Sequence, residues 1–196
     1  MRIIGLTGGI ACGKSTVAGW LKEIGAAIID ADAISRELTG PAGEALPAIR
    51  EAFGEEIFNE NGTLDRAALA SRVFADPAER QKLNGIVHPL VNERIQSGLR
   101  HCRETGATGV ILEVPLLYEA GMESLADEVW CVSATEEEQV KRLKARDGLS
   151  RKQAISRIRS QWPLAEKELR ADTVIHTDGP LEELRRQVAA LYKGEV

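Results

Sequence analysis

Five short apolar runs punctuate this chain, and between them the hydrophobic positions fall at helical spacing. The runs are Met1-Arg2-Ile3-Ile4-Gly5-Leu6, Ala26-Ala27-Ile28-Ile29-Asp30, Val110-Ile111-Leu112-Glu113-Val114, Val129-Trp130-Cys131-Val132 and Thr173-Val174-Ile175-His176. The third is β-branched and unbroken by polar alternation, as in a strand covered on both faces. Strand alternating with helix predicts an α/β fold built on a five-stranded parallel sheet with helices on both sides. One connection breaks the rhythm. From Ala31 to about Gly109 the pattern is helical and far too long for a single crossover. It reads as a helical insertion over residues 31–108, leaving 1–30 and 109–196 as the core. Helix starts recur inside it: Asp65 before Arg66-Ala67-Ala68-Leu69, and Asp76-Pro77-Ala78-Glu79 with a cap, a first-turn proline and an acid. Pro89, after His88, is read as opening a further helix, Leu90-Val91-Asn92-Glu93-Arg94, with His88 near its cap and structural.

Composition limits what such a fold can do. The 196 residues are 43% hydrophobic and 28% charged, enough for an ordinary core. A net charge of −5 argues against non-specific nucleic-acid or membrane binding, which needs a broad basic surface. No apolar run approaches the 18 or so residues of a membrane span. Cys12, Cys102 and Cys131 are too few and scattered for a disulfide framework. With a strand at its very start and no leader before it, the chain is expected to be cytoplasmic.

Between the first strand and the helix beginning Thr16-Val17-Ala18 lies Gly8-Gly9-Ile10-Ala11-Cys12-Gly13-Lys14-Ser15, the pattern G-x-x-x-x-G-K-[ST]. Glycines let the backbone bend round a phosphate and aim N–H groups at it, and the helix N-terminus adds about half a positive charge. Lys14 can reach the β- and γ-phosphates of ATP, and the Ser15 hydroxyl can ligate Mg²⁺. Residues Gly8 to Thr16 are thus the expected nucleotide-binding segment, on a P-loop NTPase-type three-layer sandwich. Cys12 stands at a helix N-terminus, where a thiol pKa can fall, but reads more simply as a small loop residue.

An acidic chain also carries a basic island from Lys141 to Arg159. The pattern there is two helices joined at Asp147-Gly148, the second announced by Ser150 and Gln153 as a capping box. Arg142 and Arg146 share one face of the first helix, and Arg157 and Gln161 one face of the second. A hairpin over about 141–162 with inward arginines can close on a triphosphate and neutralise charge as the γ-phosphoryl moves. Arg151, Lys152 and Arg159 read as solvated surface. Glu136-Glu137-Glu138 reads as a first helical turn behind Thr135.

Acids fall at strand ends, where open α/β sheets place their sites. Asp30 and Asp32 follow the second strand; one of them either orients an acceptor hydroxyl or caps the next helix. Glu113 fits the slot of a metal-holding acid, or pairs with a buried base. Arg36 either touches substrate or pairs with a neighbour such as Glu37. Trp20, Trp130 and Trp162 read as packing residues.

Neither D-x-x-G nor N-K-x-D occurs, which disfavours a guanine-reading switch, and the chain is small for a motor or transporter ATPase. A small core, a long insertion and an arginine-rich hairpin suggest a small-metabolite kinase. Several strings together resemble the dephospho-coenzyme A kinases over nearly the whole chain. They are Gly5-Leu6-Thr7-Gly8-Gly9-Ile10, Ile29-Asp30-Ala31-Asp32 with Arg36, Leu83-Asn84-Gly85-Ile86-Val87-His88-Pro89, Pro115-Leu116-Leu117-Tyr118-Glu119, and the stretch from Arg142 through Arg146-Asp147-Gly148-Leu149-Ser150 to Arg157 and Gln161. The resemblance implies phosphorylation of the ribose 3′-hydroxyl of dephospho-coenzyme A by ATP, and a core, a helical acceptor-binding part and a lid. It implies Lys14 on the moving phosphoryl, Ser15 with Mg²⁺, Asp32 at the acceptor hydroxyl, His88 on the acceptor, and Arg142 or Arg146 as phosphate clamps; from their positions, Glu113 is the expected second Mg²⁺ residue and Arg36 a candidate on the acceptor. The chain departs from the family in three places: Ala11-Cys12 in place of Gly-Ser, Tyr118 in place of phenylalanine, and His176-Thr177-Asp178-Gly179 after the last strand. Within P-loop kinases a nucleoside, nucleotide or sugar acceptor is the alternative, and a nucleotide-binding regulator without transfer is another.

Overall fold

The computed structural model describes residues 1–195. Strands β1 (Arg2–Gly8), β2 (Ala27–Asp30), β3 (Gly109–Glu113), β4 (Glu128–Ser133) and β5 (Thr173–His176) form one sheet in the order β2-β3-β1-β4-β5. Every pair is parallel, with Ile4 opposite Ile111 and Glu128, and Asp30 opposite Glu113. These are the five runs expected from hydrophobic pattern. Their interiors carry bulky apolar side chains on both faces because helices cover both faces: β3 is buried at all five positions.

The chain divides into two compact units, one of Met1–Asp30 with the chain from Cys102 onward, the other Ala31–His101. In the first, Ile4, Leu6, Ile111, Trp130, Val132 and Ile175 from the sheet pack with Val17, Leu21, Leu184 and Val188 from helices α1 (Lys14–Glu23) and, last in the chain, α9 (Leu181–Lys193). Trp130 is 1% exposed, a packing residue as its sequence context suggested.

The second unit contains α2 (Ala31–Leu38), α3 (Leu46–Phe53), α4 (Arg66–Ala75) and most of α5 (Pro77–Glu104). Asp65 caps α4 by accepting from the N–H groups of Ala67 and Ala68, at 3.0 and 2.9 Å. Asp76 does the same for Ala78 at 2.8 Å, ahead of Pro77 at the first position of α5. Not all of it is helix. Between α3 and α4 lie a 3-10 turn, Glu55–Ile57, and a bridge pairing Phe58 with Leu64.

Pro89 does not open a helix; it lies inside α5, a single helix of 28 residues. Pro89 cannot donate to the carbonyl four residues back, that of Gly85, a loss of about 3 kcal/mol in a typical helix interior. Continuity wins because Val87, Val91, Ile95 and Leu99, four residues apart, are all buried along one stripe that runs through the proline. His88 is therefore an exposed mid-helix residue and not a cap.

The remaining helices are α6 (Glu136–Asp147), α7 (Arg151–Arg159) and α8 (Leu164–Arg170). Thr135 caps α6 through the Glu138 N–H at 3.3 Å, and Gly148 ends it with φ 66°. The capping box of Ser150 and Gln153 opens α7. No helix of the described residues is long and apolar enough to cross a membrane.

Candidate active site

Strand β1 delivers the chain to the carboxyl edge of the sheet, at the point where the strand order reverses, and the loop begins there. Gly8 is obligatory: a Cβ would collide with the carbonyl oxygen of Val132 on β4. The Cys12 N–H closes a turn onto the Gly9 carbonyl at 3.2 Å. Gly13, at φ 89°, then feeds straight into α1. No side chain caps α1 and no acid stands in its first turn, so its N-terminal field is left for an anion.

Lys14 and Ser15, the first residues of α1, converge on Glu113, the last residue of β3. The Ser15 hydroxyl donates to Glu113 Oε1 at 3.2 Å, and Lys14 Nζ lies 3.8 Å from the same oxygen. Glu113 is only 7% exposed. The two readings of Glu113 meet here, since the base it pairs with is the loop lysine itself. Asp30 ends β2 on the same row of the sheet as Glu113.

The basic hairpin α6–α7 reaches the loop through one of its two candidate arginines. Arg142 donates to the Ala11 carbonyl at 3.2 Å and to the Thr177 hydroxyl and carbonyl at 2.9 and 2.7 Å, and pairs with Glu138 at 3.1 Å. Arg146 instead forms a two-pronged pair with Asp147, at 2.8 and 3.0 Å, joined there by Arg157 at 3.1 Å. Sharing a helix face does not make them equivalent, because Arg146 sits one turn closer to the helix end and its acid. Ile10 and Ala11 pack against Val140, Leu143 and Ala154, tying loop to hairpin by apolar contact as well.

Three members of this site were given no role of their own from the sequence. Thr177 is 5% exposed, and its hydroxyl lies 2.7 Å from the Cys12 carbonyl and 3.2 Å from that of Ser133. Asp178 accepts from the Thr135 N–H and hydroxyl at 3.1 and 2.9 Å; these bonds, with Arg142 and His176 nearby, hold its carboxyl below the usual range. The available signal was their position, just past the last strand, at the edge where sites form. Gln161 was placed on α7, but that helix stops at Arg159. Freed from the helix, the Gln161 amide oxygen accepts from the Ile10 N–H of the phosphate loop at 2.9 Å. A cavity of about 420 Å³ opens beside Thr177 and Asp178, lined also by Gly13, by Thr16 and Trp20 of α1, and by Arg142.

Cys12 is fully buried, and burial pushes its thiol up to about 11. The helix N-terminus, which alone would lower it, is outweighed by the loss of water. Trp162 stacks on Tyr118 with ring centres 6.5 Å apart, another packing role.

In the second unit, Asp32 is the second residue of α2 and exposed. It caps nothing from outside the helix; it is an acid inside the first turn. Arg36 lies four residues on, one turn along the same face. The Arg36 and Thr39 carbonyls accept from Arg66 at 3.3 and 3.2 Å, which fixes the end of α2.

The family model described as dephospho-CoA kinase matches residues 2–183. Among curated proteins, a dephospho-CoA kinase of Carboxydothermus hydrogenoformans is 47% identical over 98% of this chain and 94% of its own length. One from Geobacillus kaustophilus is 45% identical over 97% and 94%. A crystal structure from Thermus thermophilus superposes with a TM-score of 0.85 at 38% identity, covering 100% of this chain and 98% of the other. A dephospho-CoA kinase structure from Campylobacter jejuni gives 0.72 at 26% identity, with full coverage of both chains. A shikimate kinase from Acinetobacter baumannii, at 0.56 and 18%, shares the fold, covering 100% of this chain and 94% of its own. Phosphate loop, buried acid at its lysine and serine, basic hairpin and near-complete sequence coverage agree: the chain belongs to the dephospho-CoA kinase family.

Proposed function

We propose that this chain transfers the γ-phosphoryl group of ATP to the ribose 3′-hydroxyl of dephospho-coenzyme A, with the roles divided as follows. The backbone from Gly8 to Thr16 cradles the triphosphate, helped by the uncapped start of α1. Lys14 leaves Glu113 to meet the β- and γ-phosphates and stabilises charge as the phosphoryl moves. Arg142 clamps from the hairpin, which acts as a lid; Arg146 joins by exchanging Asp147 for phosphate. The nucleoside takes the cavity beside Trp20, Thr177 and Asp178. Asp32 orients the acceptor hydroxyl and takes its proton, and Arg36 and His88 belong to an acceptor site in the unit Ala31–His101.

The observation that carries this reading is the meeting of Lys14, Ser15 and Glu113 at one oxygen. Their chemistry also fits Mg²⁺. Among the described residues no cluster of three or more acids, histidines or cysteines could cage a metal, and Mg²⁺ characteristically takes only one or two protein oxygens, with water and phosphates completing its shell. Ser15 and Glu113 would hold it, and when bound it supplies charge neutralisation on the phosphates. A negative net charge supports small-molecule partners over nucleic acid, and the ATP-dependent reaction supports a cytoplasmic setting.

The test is ADP release by the purified protein with Mg-ATP and a panel of acceptors. Dephospho-coenzyme A should stimulate release, and shikimate, gluconate and nucleosides should not; absence of dephospho-coenzyme A-dependent turnover sinks the reading. Asp32→Asn should bind ATP as the parent does and lose about 10²–10⁴ in kcat, the range for a positioned general base. Near-normal turnover would remove Asp32 from that role.

A further inference from the structure

Lys167 of α8 is 0% exposed, and nothing in the transfer reaction described above uses it. Its ammonium lies 2.7 Å from Glu119 Oε1 and donates to the Pro115 carbonyl at 3.1 Å. From this point two chains of contacts lead away. Through Pro115, whose carbonyl also accepts from the Thr7 hydroxyl at 3.2 Å, one reaches the residue just before Gly8. Pro115 is itself two residues past Glu113. Through Glu119, whose Oε1 accepts from the Trp162 N–H at 3.4 Å, the other reaches Gln161 and its bond to the Ile10 N–H. Both arms end on the phosphate loop, one at its root and one at its tip.

Stability does not account for the pair. Taking a lysine and most of a glutamate out of water is costly, and apolar residues of similar volume commonly hold a core as well or better. Glu119 Oε2 is moreover buried without a hydrogen-bond partner, which a purely stabilising arrangement would avoid. What an ion pair provides that leucine and methionine do not is direction. We propose that the buried Lys167–Glu119 pair is a positioning device for the transfer step: it fixes the Pro115–Glu119 turn and the Gln161-Trp162 segment, and so sets the phosphate loop against Glu113. Neither residue touches the reacting atoms. The inference rests on the kinase reading above for its activity assay, though not for its second readout.

The experiment compares the parent with the pair-replacing variant Glu119→Leu/Lys167→Met and with Gln161→Leu, which cuts the same connection at the far end. Thermal midpoint, kcat, KM for each substrate and amide exchange at Ile10 are measured on all three. The double variant should melt within a few degrees of the parent or above it. Its kcat should fall at least tenfold with KM for dephospho-coenzyme A unchanged, and its Ile10 N–H should exchange at least tenfold faster. Gln161→Leu should show the same pattern, and adding it to the double variant should change little, since both cut one chain of contacts. A folded double variant with parental kcat and Ile10 exchange overturns the proposal. So does Gln161→Leu with parental values, a result that stands even if the double variant does not fold. A parent inactive on dephospho-coenzyme A overturns the reaction instead, and Ile10 exchange still decides the positioning role.

Discussion

Ala11 holds a left-handed backbone at φ 59° with a side chain attached. In that region Cβ crowds the following carbonyl, at about 1–2 kcal/mol for a non-glycine residue. Ala11→Gly should raise stability by about 1 kcal/mol, net of the packing its methyl makes with the hairpin, read as a higher urea midpoint at unchanged slope. The departure from the family at this position was visible in sequence; its conformational meaning was not, because a dihedral angle is not written in a residue name. Cys12 shows the same gap. Its thiol, buried and pushed up to about 11, should react with a maleimide at pH 8 about a hundredfold slower in the native protein than in denaturant. Equal rates would mean that the loop opens freely.

Among the elements, α5 best separates local signals from tertiary ones. Proline punctuation predicted a break at residue 89, yet the buried stripe of Val87, Val91, Ile95 and Leu99 runs through it. Local grammar loses where a long apolar face has something to cover. Pro89→Ala restores a donor for the Gly85 carbonyl and should stabilise the protein by up to about 3 kcal/mol in chemical denaturation, with turnover as the check that the residue serves only structure. At α6 local grammar wins: Thr135, three acids and Gly148 were legible as cap, first turn and stop. What sequence withheld was Asp178, which reaches Thr135 from beyond β5, 43 positions away in the chain. Its carboxyl is held below the usual range, so its contribution to stability is present above the ordinary carboxylate pKa and is lost as pH falls through the lowered one. Asp178→Asn should therefore cost stability at neutral pH, and the difference from the parent should shrink on acidification below about pH 4. A difference independent of pH would assign the loss to packing.

For the whole molecule, the five strands and their parallel sense followed from hydrophobic runs, since a sheet buried on both faces leaves no polar alternation to confuse. The order of the strands was not legible in the sequence, and the meeting of Lys14, Ser15 and Glu113 followed only in part, from the rule that sites gather at carboxyl ends; which acid meets the loop is decided by register. The two units offer a test at this scale. Mg-ATP should slow amide exchange over residues 8–16 and around Arg142 and Thr177, whereas dephospho-coenzyme A should slow it mainly within Ala31–His101, including α2. Protection by dephospho-coenzyme A confined to the first unit would remove the acceptor role from the second.

The central strand has a consequence for how this protein is made. Among the described residues β1 pairs with β3 and β4 alone, so Arg2 has its partner at Gly109 and Ile4 another at Glu128. At about 5–20 residues per second, a nascent chain carries Ile3, Ile4 and Leu6 unpaired for roughly 5 to 20 seconds before either neighbour is synthesised. The phosphate loop, anchored to that strand and to Val132 of β4, cannot take its shape any sooner. β1 is thus translated well before it can pair, and its apolar stretch waits uncovered until β3 and β4 follow.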